Sequence, residues 1–421
     1  MFVLVLVVLL GIVYVSCWWK RYPRSPPIYP GQLPIIGHGH LLLKYRNGLI
    51  WKKHHKLLYP AFSQQVLNTY LNEMNAQAQR LVSQLATVSP KGPVDIADYL
   101  IEYILRLVCR TSLGMEATDQ DMIENDYAKA VEEMANIVVR RALNLGLHPS
   151  FIFNLTSMSK RQEKLSIHNK EAMDPIIQKR KSDLTATKYT NNDDVSVPGK
   201  FKPALDLMLH LSNEQYLLSD EEIRAHLNTF VAASYDTTSV AMQTVLLVLG
   251  SFPAIQDRVY NEIQDVFGKN EILTKHDLTK LVYLEAVIKE VLRTYNVVPL
   301  IARNIDNDIV LPKYTLRAGS ICILSLYGLH RHSSWGPDAK EFNPERWLNP
   351  ATLPSTSNVF APFGIGKRIC IGKQYAMMSL KTSLAHIVRK FQVSGDISTL
   401  KHNYEIVLKP EKPLINLTLR S

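Results

Sequence analysis

Cysteine is scarce in this chain of 421 residues, and its four cysteines lie far apart: Cys17, Cys109, Cys322 and Cys370. Their spacing excludes a disulfide framework and a zinc site with closely paired ligands, and it favours a reducing compartment. The sequence also lacks the aromatic-basic modules and finger patterns of nucleic-acid-binding proteins. The formal net charge of +10 therefore suits an anionic membrane surface or an acidic protein partner. With 46% hydrophobic and 20% charged residues, the chain is globular and can form one large domain or two.

Charged residues are absent from residues 1–19, which are rich in Val and Leu and are followed at once by Lys20, Arg21 and Arg24. A segment of this length is about what the hydrocarbon core of a membrane requires. It has no basic stretch before it and no small-x-small cleavage site ahead of Trp18, so an uncleaved anchor is favoured over a signal peptide. The basic residues that follow place the rest of the chain in the cytosol.

Residues 20–40 are rich in proline and glycine. Because proline fixes φ and removes a hydrogen-bond donor, this stretch is predicted to be a stiff, extended hinge. Residues 41–421 are predicted to form the main domain. Amphipathic patterns between residues 73 and 218 indicate successive helices, and β-rich runs occur at 308–311 and 320–326.

A capping box formed by Ser219 and Glu222 opens a long apolar helix, which we expect to end near Gly250. An acid and two hydroxyls, Asp236, Thr237 and Thr238, lie halfway along it. A threonine in mid-helix is ordinarily bonded to the carbonyl of the preceding turn, and an acid there ordinarily points to solvent. Their place in the longest buried helix of the chain also permits a functional interpretation.

The most informative stretch is residues 363–372, Phe-Gly-Ile-Gly-Lys-Arg-Ile-Cys-Ile-Gly, which we call the cysteine loop. Its glycines permit left-handed turns and close approach to a flat ligand. A helix-forming run follows at residues 373–389, so Cys370 is expected at a helix N-terminus, which stabilises a thiolate. A lone cysteine beside glycines can also be a buried thiol in a turn.

The spacing of Phe363, Gly366, Arg368, Cys370 and Gly372 resembles the heme-binding signature of the cytochrome P450 monooxygenases. The resemblance is closest to the membrane-bound, microsomal branch of eukaryotes, which includes fatty-acid hydroxylases and many insect enzymes. It implies a P450 fold, an α-rich triangular prism with small β-sheets and an N-terminal transmembrane helix. It also implies heme b, with Cys370 as the axial iron ligand, Arg368 facing a propionate and Phe363 shielding the sulfur.

By the same resemblance, Thr237 would hydrogen-bond the bound dioxygen or a water beside it, and Asp236 would pass protons, with Thr238 as its neighbour. Ser234 stands where the family has a glycine. Ala233 stands where the fatty-acid hydroxylase branch often has a glutamate ester to the heme, so the heme is expected to be non-covalent apart from its bond to sulfur.

Further positions match the family in order. Glu290 and Arg293 would meet Arg346 in a buried structural network, although an i, i+3 ion pair alone is a weak signal. Arg303 would bind a propionate. Trp51 would bind one with a second residue four positions later.

That second residue is usually an arginine in the family, and here it is His55, which is charged only when protonated. Only residues 41–50 separate the hinge from Trp51, which implies a deletion of roughly eighty residues from the start of the catalytic domain at 41–421. In the family, this region supplies strands that pair with the two β-rich runs. Without those strands, a sheet edge is left bare unless residues 33–45 replace them. The runs 404–408 and 415–419 are expected to form a hairpin.

The resemblance implies a heme-thiolate monooxygenase in the endoplasmic reticulum membrane, with a cytosolic catalytic domain acting on a hydrophobic small molecule. NADPH-cytochrome P450 reductase would donate electrons after docking near Lys373, Arg389 and Lys390, with cytochrome b5 as a second donor. Ordinary solvated helix charge is the other interpretation of those three residues. The rival hypothesis is a truncated relative without catalysis, arising as a splice form or defective gene model; a heme-thiolate isomerase or sensor is a third.

Overall fold

The computed structural model describes residues 48–115, 125–190, 201–213, 217–404 and 407–420. The expected anchor at 1–19 and hinge at 20–40 lie outside the described residues, as do residues 33–45. In the described ranges no single helix has the length and apolar character needed to cross a membrane. One pair of helices, Asp220–Ser251 and Pro253–Phe267, meets both criteria together but is bent by 112°.

The described residues form fourteen α-helices and nine short strands. The helices are α1 Gly48–Leu58, α2 Gln64–Thr69, α3 Leu71–Val88, α4 Ala97–Val108, α5 Asn125–Leu143, α6 Ser150–Asn154, α7 Ser157–Thr190, α8 Ala204–Asn213, α9 Asp220–Ser251, α10 Pro253–Phe267, α11 Lys275–Lys280, α12 Val282–Thr294, α13 Leu326–Leu329 and α14 Lys373–Lys390. The strands are β1 Val94–Asp95, β2 Leu300–Asn304, β3 Ile309–Val310, β4 Thr315–Leu316, β5 Ile321–Ser325, β6 Phe391–Ser394, β7 His402–Tyr404, β8 Leu408–Pro410 and β9 Leu414–Leu419. The predicted class, mainly α with small β-sheets, is confirmed.

Helix α9 forms the centre of the core. It begins with the predicted capping box, in which the Ser219 hydroxyl accepts a hydrogen bond from Glu222 N and the Glu222 carboxylate accepts one from Ser219 N. Every residue from 238 to 249 is buried. A helix that is buried on all sides must have neighbours all around it, and α9 packs against α4, α10, α12 and α14.

The C-terminal strands pair differently from the prediction. Residues 404–408 and 415–419 do not form one hairpin; β7 pairs with β8, while β9 pairs with β6 and β1. The physical reason is burial. Ile415 and Leu417 alternate with exposed residues and turn their side chains into the core, so β9 joins the sheet that covers the end of α9.

Strands β2 and β5 form an antiparallel pair, with Ala302 opposite Ile323. Within the described residues no third strand joins them. Leu300, Ile323 and Leu324 are exposed, at 55%, 48% and 43%. Each strand is therefore an edge strand in the described part of the chain, and the pair presents apolar side chains to solvent.

The carboxylate of Glu290 on α12 accepts five hydrogen bonds in the core, and we call its partners the Glu290 network. Arg293 donates twice, at 2.8 and 2.7 Å, and Arg346 Nε donates at 3.0 Å. Asn343 N and Trp347 Nε1 each donate at 2.9 Å. The structure thus brings together the three residues of the structural network named from the sequence and adds two donors that the sequence did not reveal.

His330 connects the Glu290 network to the cysteine loop. Its backbone carbonyl accepts a hydrogen bond from Arg293, and its side-chain Nε2 accepts one from Ala361 N at 2.9 Å, two residues before Phe363. Burial, together with the charges of Arg293 and Arg331, lowers the pKa of His330 to about 4. The neutral imidazole is therefore the form that the folded protein stabilises.

Gly250→Ala is expected to destabilise the protein by about 1–3 kcal/mol, because an added Cβ would lie 2.6 Å from Gly395 N and 2.9 Å from the carbonyl carbon of Ser394. Both atoms belong to the backbone and cannot rotate away. The measurement is the free energy of unfolding in urea. Gly146→Ala is the control, because its Cβ would meet only a side-chain oxygen of Asn144, and equal values for the two variants would contradict the expectation.

Glu290→Gln is expected to lower the free energy of unfolding by about 3–5 kcal/mol, because it leaves the buried guanidinium group of Arg293 without a counter-charge and leaves Arg346 with Asp338 alone. The matched control is Glu345→Gln. Glu345 pairs with Arg258 at the surface, where an ion pair contributes at most about 1 kcal/mol. Chemical denaturation of both variants gives the comparison, and a loss below about 1 kcal/mol for Glu290→Gln would sink this account.

Acidification is expected to destabilise the protein through His330. Its pKa is about 4 when folded and about 6.5 in the unfolded chain, so the unfolded state binds more protons between these values. The stability is present above about pH 6.5 and is lost as the pH falls to about 4, by about 3 kcal/mol. The urea midpoint of His330→Gln should depend less on pH than that of the parent, whereas exposed His332→Gln should behave like the parent. The pKa of His386 is also lowered to about 4, so part of the dependence of the urea midpoint on pH should remain in His330→Gln.

Candidate functional site

The cysteine loop is held by its own backbone. Cys370 N donates to Phe363 O at 2.8 Å, and Ile369 N donates to Gly366 O at 3.1 Å. Gly364 and Gly366 have φ values of +71° and +70°, in the left-handed region that favours glycine. These two glycines therefore adopt the left-handed turns that the sequence analysis allowed for the loop.

The thiol of Cys370 lies at the start of α14, whose N-cap is Gly372. The side chain is accessible to solvent on one side, while the surrounding protein desolvates the sulfur and raises its pKa. The N–H groups of Gly372 and Lys373 act in the opposite direction. The expected stabilisation by the helix N-terminus is therefore present but is smaller than the effect of burial, so a cation bonded to the sulfur is needed to favour the thiolate.

Arg303 on β2 and Arg368 in the cysteine loop lie close enough to repel each other. Desolvation is the largest cause that lowers the pKa of Arg368. The charge of Arg303 lowers this pKa further, and the charge of Asp306 raises it. Two neighbouring guanidinium groups form a site for carboxylates. A thiol whose loop carries one of two neighbouring arginines is a donor set that fits a heme, which has one iron and two propionates. Gly372 leaves room beside the sulfur, since an added Cβ would lie 3.8 Å from Cys370 Sγ.

Helix α1 carries Trp51 and His55. The backbone of Trp51 is helical, and its side chain lies outside the described residues. His55 is half-buried, and its ring centroid lies 6.1 Å from that of Tyr59. The described contacts do not place either side chain beside Arg303 or Arg368, so their role at a propionate stays a prediction.

His54 is part of a contact that the sequence did not reveal. Its Nδ1 lies 3.0 Å from Nε2 of His226, and its Nε2 lies 3.3 Å from the carboxylate of Glu222. Desolvation lowers the pKa of His226, as does His54, while Glu222 raises it. This side of α1 therefore packs on the first turns of α9 instead of facing solvent.

The acid and hydroxyls of α9 lie where the helix enters the core. Thr237 Oγ1 donates to Ala233 O at 2.7 Å, the local bond that a mid-helix threonine favours. Thr238 is buried. The Asp236 carboxylate lies 3.0 Å from Lys409 Nζ, so it has a cationic partner within the protein. No local sequence signal indicated Lys409, because it is distant in the chain.

The three basic residues expected to form a docking patch do not lie together. Lys373 is exposed at the start of α14, whereas Arg389 and Lys390 end the same 18-residue helix, roughly 25 Å away. Arg389 also donates to Asn270 O at 2.6 Å and lies over the ring of Phe267. Lys367, within the cysteine loop, is also exposed.

Comparison with known proteins identifies the family. The sequence model of the cytochrome P450 family matches residues 20–417. Cytochrome P450 4c21 of Blattella germanica is 31% identical over 373 residues, which cover 87% of this chain and 74% of the relative. Cytochrome P450 4V2 of Homo sapiens is 32% identical over 370 residues, covering 86% and 70%. Taurochenodeoxycholic 6 alpha-hydroxylase of Sus scrofa is 31% identical over 411 residues, covering 95% and 79%.

The match to the family model covers most of the chain, and the relatives include insect and vertebrate proteins. The cysteine loop, the neighbouring Arg303 and Arg368 and the helix-rich fold agree with that match. The chain belongs to the cytochrome P450 family of heme-thiolate monooxygenases, on the branch of the insect and vertebrate family 4 enzymes.

Proposed function

We propose that this protein inserts one oxygen atom of O2 into a hydrophobic small molecule, with Cys370 as the axial ligand of heme iron. Electrons come from NADPH through a reductase. The observation that carries the proposal is the cysteine loop, which presents an accessible thiol at the start of α14 with Arg303 and Arg368 close together. No other described cysteine is exposed: Cys109 is buried and Cys322 is intermediate.

The heme, when bound, supplies dioxygen activation through an iron whose thiolate ligand favours O–O cleavage. The protein supplies the geometry. The backbone hydrogen bond from Cys370 N to Phe363 O restrains the ligand, and the left-handed Gly364 and Gly366 let the loop turn tightly. Phe363 packs against the core. Arg303 and Arg368 bind the propionates, which relieves their mutual repulsion.

Asp236, Thr237 and Thr238 move and hold protons in this proposal. The hydroxyl hydrogen of Thr237 is donated to Ala233 O, so its oxygen can accept a hydrogen bond from a water at the reaction site. Asp236, one residue before Thr237, accepts protons from solvent. Ser234, in place of the family glycine, adds a further hydroxyl to those of Thr237 and Thr238, two residues before Asp236 on the same helix.

The partners and location follow from charge and from the N-terminal sequence. Residues 1–19 anchor the protein in the endoplasmic reticulum membrane as a single span, with the catalytic domain at 41–421 in the cytosol. Exposed Lys367 and Lys373 flank Cys370 and attract the acidic face of NADPH-cytochrome P450 reductase or cytochrome b5. The other proposed partners are membrane lipid and the apolar substrate, and no nucleic acid is among them.

A non-catalytic relative is the second candidate, and one observation favours it. The β2–β5 pair exposes Leu300, Ile323 and Leu324, and it has no third strand among the described residues. Arg303 lies on β2, so a loosely held sheet weakens the propionate site. In that case the chain folds with little heme, and its role is an interaction with another protein.

The expected spectrum of the expressed full chain, reduced and saturated with carbon monoxide, has the Soret band of thiolate-ligated heme. Cys370→Ser removes the thiolate and should abolish this band, because an alcohol does not ionise at neutral pH. Cys322→Ser is the matched control, since its half-buried thiol lies on β5 and should leave the band unchanged.

Heme content is measured in the same samples. A parent chain that takes up no heme favours the non-catalytic relative, and a Cys370→Ser band identical to that of the parent overturns the ligand assignment. Added reductase should then give NADPH consumption in the parent only, which separates a monooxygenase from a sensor or isomerase.

A further inference from the structure

A lysine on the β7–β8 hairpin reaches acidic side chains on two different helices. Lys409 Nζ lies 3.0 Å from Asp236 Oδ1 on α9 and 2.8 Å from Glu132 Oε1 on α5. Residues from three distant parts of the chain therefore meet at one ammonium group. We call this group, Lys409 with Asp236 and Glu132, the Lys409 cluster.

The hairpin gives the lysine a fixed starting point. Lys409 pairs with Asn403 in the β7–β8 ladder, and the neighbouring Leu408 N donates to Val297 O at 2.9 Å. Val407 and Leu408 are buried. Because the backbone on both sides is held, the ammonium is restricted to the space that the side chain can span from the hairpin.

The cluster is only partly open to water. The side chains of Lys409, Asp236 and Glu132 are 18%, 20% and 39% exposed. Charges in such surroundings are screened less by salt than charges at the surface. A carboxylate on a mostly buried helix also requires a partner to offset its lost hydration. Lys409 supplies that partner, and Glu132, which is more exposed, shares it.

We infer that Lys409 is a positioning residue for Asp236, holding its carboxylate in one orientation on α9, and that Glu132 sets the strength of this contact by competing for the same ammonium. The inference rests on the proposed role of Asp236 in proton transfer. Since Glu132 belongs to a different helix, a displacement of α5 changes the contact between Lys409 and Asp236. The proton-transfer acid is thereby linked to a part of the fold distant from it in sequence.

The first test measures the contact without reference to catalysis. Urea unfolding midpoints are compared for the full chain, Lys409→Met, Asp236→Asn and the double variant. Each single variant should lower the midpoint, and the double variant should lower it by less than the sum of the two, because the second change removes nothing further. Lys409→Arg should restore most of the loss, and Lys401→Met, exposed just before β7, should have no effect. Strictly additive shifts overturn the inference.

The second test measures positioning, using NADPH oxidation with added reductase and no added substrate. Asp236→Asn and Lys409→Met should each slow the rate about tenfold, as expected when a positioned proton-transfer group is disturbed. The double variant should also be about tenfold slower, since both changes act on the same step. Lys409→Arg should recover the rate, and Glu132→Gln should not lower it.

The outcomes separate the two proposals. A rate lowered by Asp236→Asn but not by Lys409→Met overturns the positioning role and leaves the proposed function standing. Effects that multiply to about a hundredfold show that Lys409 acts independently of Asp236, which also overturns it. A rate that Asp236→Asn leaves unchanged overturns the proton-transfer role and the inference together.

Discussion

The carboxylate of Glu290 is the group on which the arrangement of the cysteine side of the molecule depends. It is fully buried and accepts hydrogen bonds from Arg293, Arg346, Asn343 and Trp347. A buried charge is tolerated only when it is paired and fully hydrogen-bonded, and here the donors come from α12 and from the segment at 343–347. The remaining donors of Arg293 are used by carbonyls of His330, Ala339 and Glu341. The segments around α12 are therefore held in position because each supplies hydrogen bonds to a buried charged group on another segment.

This network determines where the cysteine loop begins. The His330 carbonyl accepts a hydrogen bond from Arg293, and its imidazole accepts one from Ala361 N. This one residue therefore joins the chain just before the cysteine loop to the Glu290 network. Its exit is the first turn of α14, which is buried in the core along most of its length. A loop held at both ends presents its thiol in one position, which is what a metal ligand requires. Arg303 depends on a different element, the β2–β5 pair, whose side chains Leu300, Ile323 and Leu324 are exposed to solvent.

The residues proposed to transfer protons lie on the central helix α9. Asp236 and Thr237 lie just before the stretch of α9 in which every residue is buried. Thr237 is satisfied within its own helix, whereas Asp236 reaches a lysine from a C-terminal hairpin that also contacts α5. The surroundings of Asp236 therefore include its own helix, the β7–β8 hairpin and, through Lys409, helix α5.

The sequence by itself determined the features that depend on near neighbours in the chain: the capping box of Ser219 and Glu222, the left-handed glycines of the cysteine loop and the start of α14. Each of these follows from interactions within a few residues. Only the tertiary structure decided that β9 pairs with β6, that the basic residues of α14 are divided between its two ends, and that burial outweighs the helix N-terminus at Cys370. It alone revealed His330, Trp347 and Lys409 as partners of the predicted residues. Those pairings depend on which surfaces the folded chain buries together, and no local pattern contains that information.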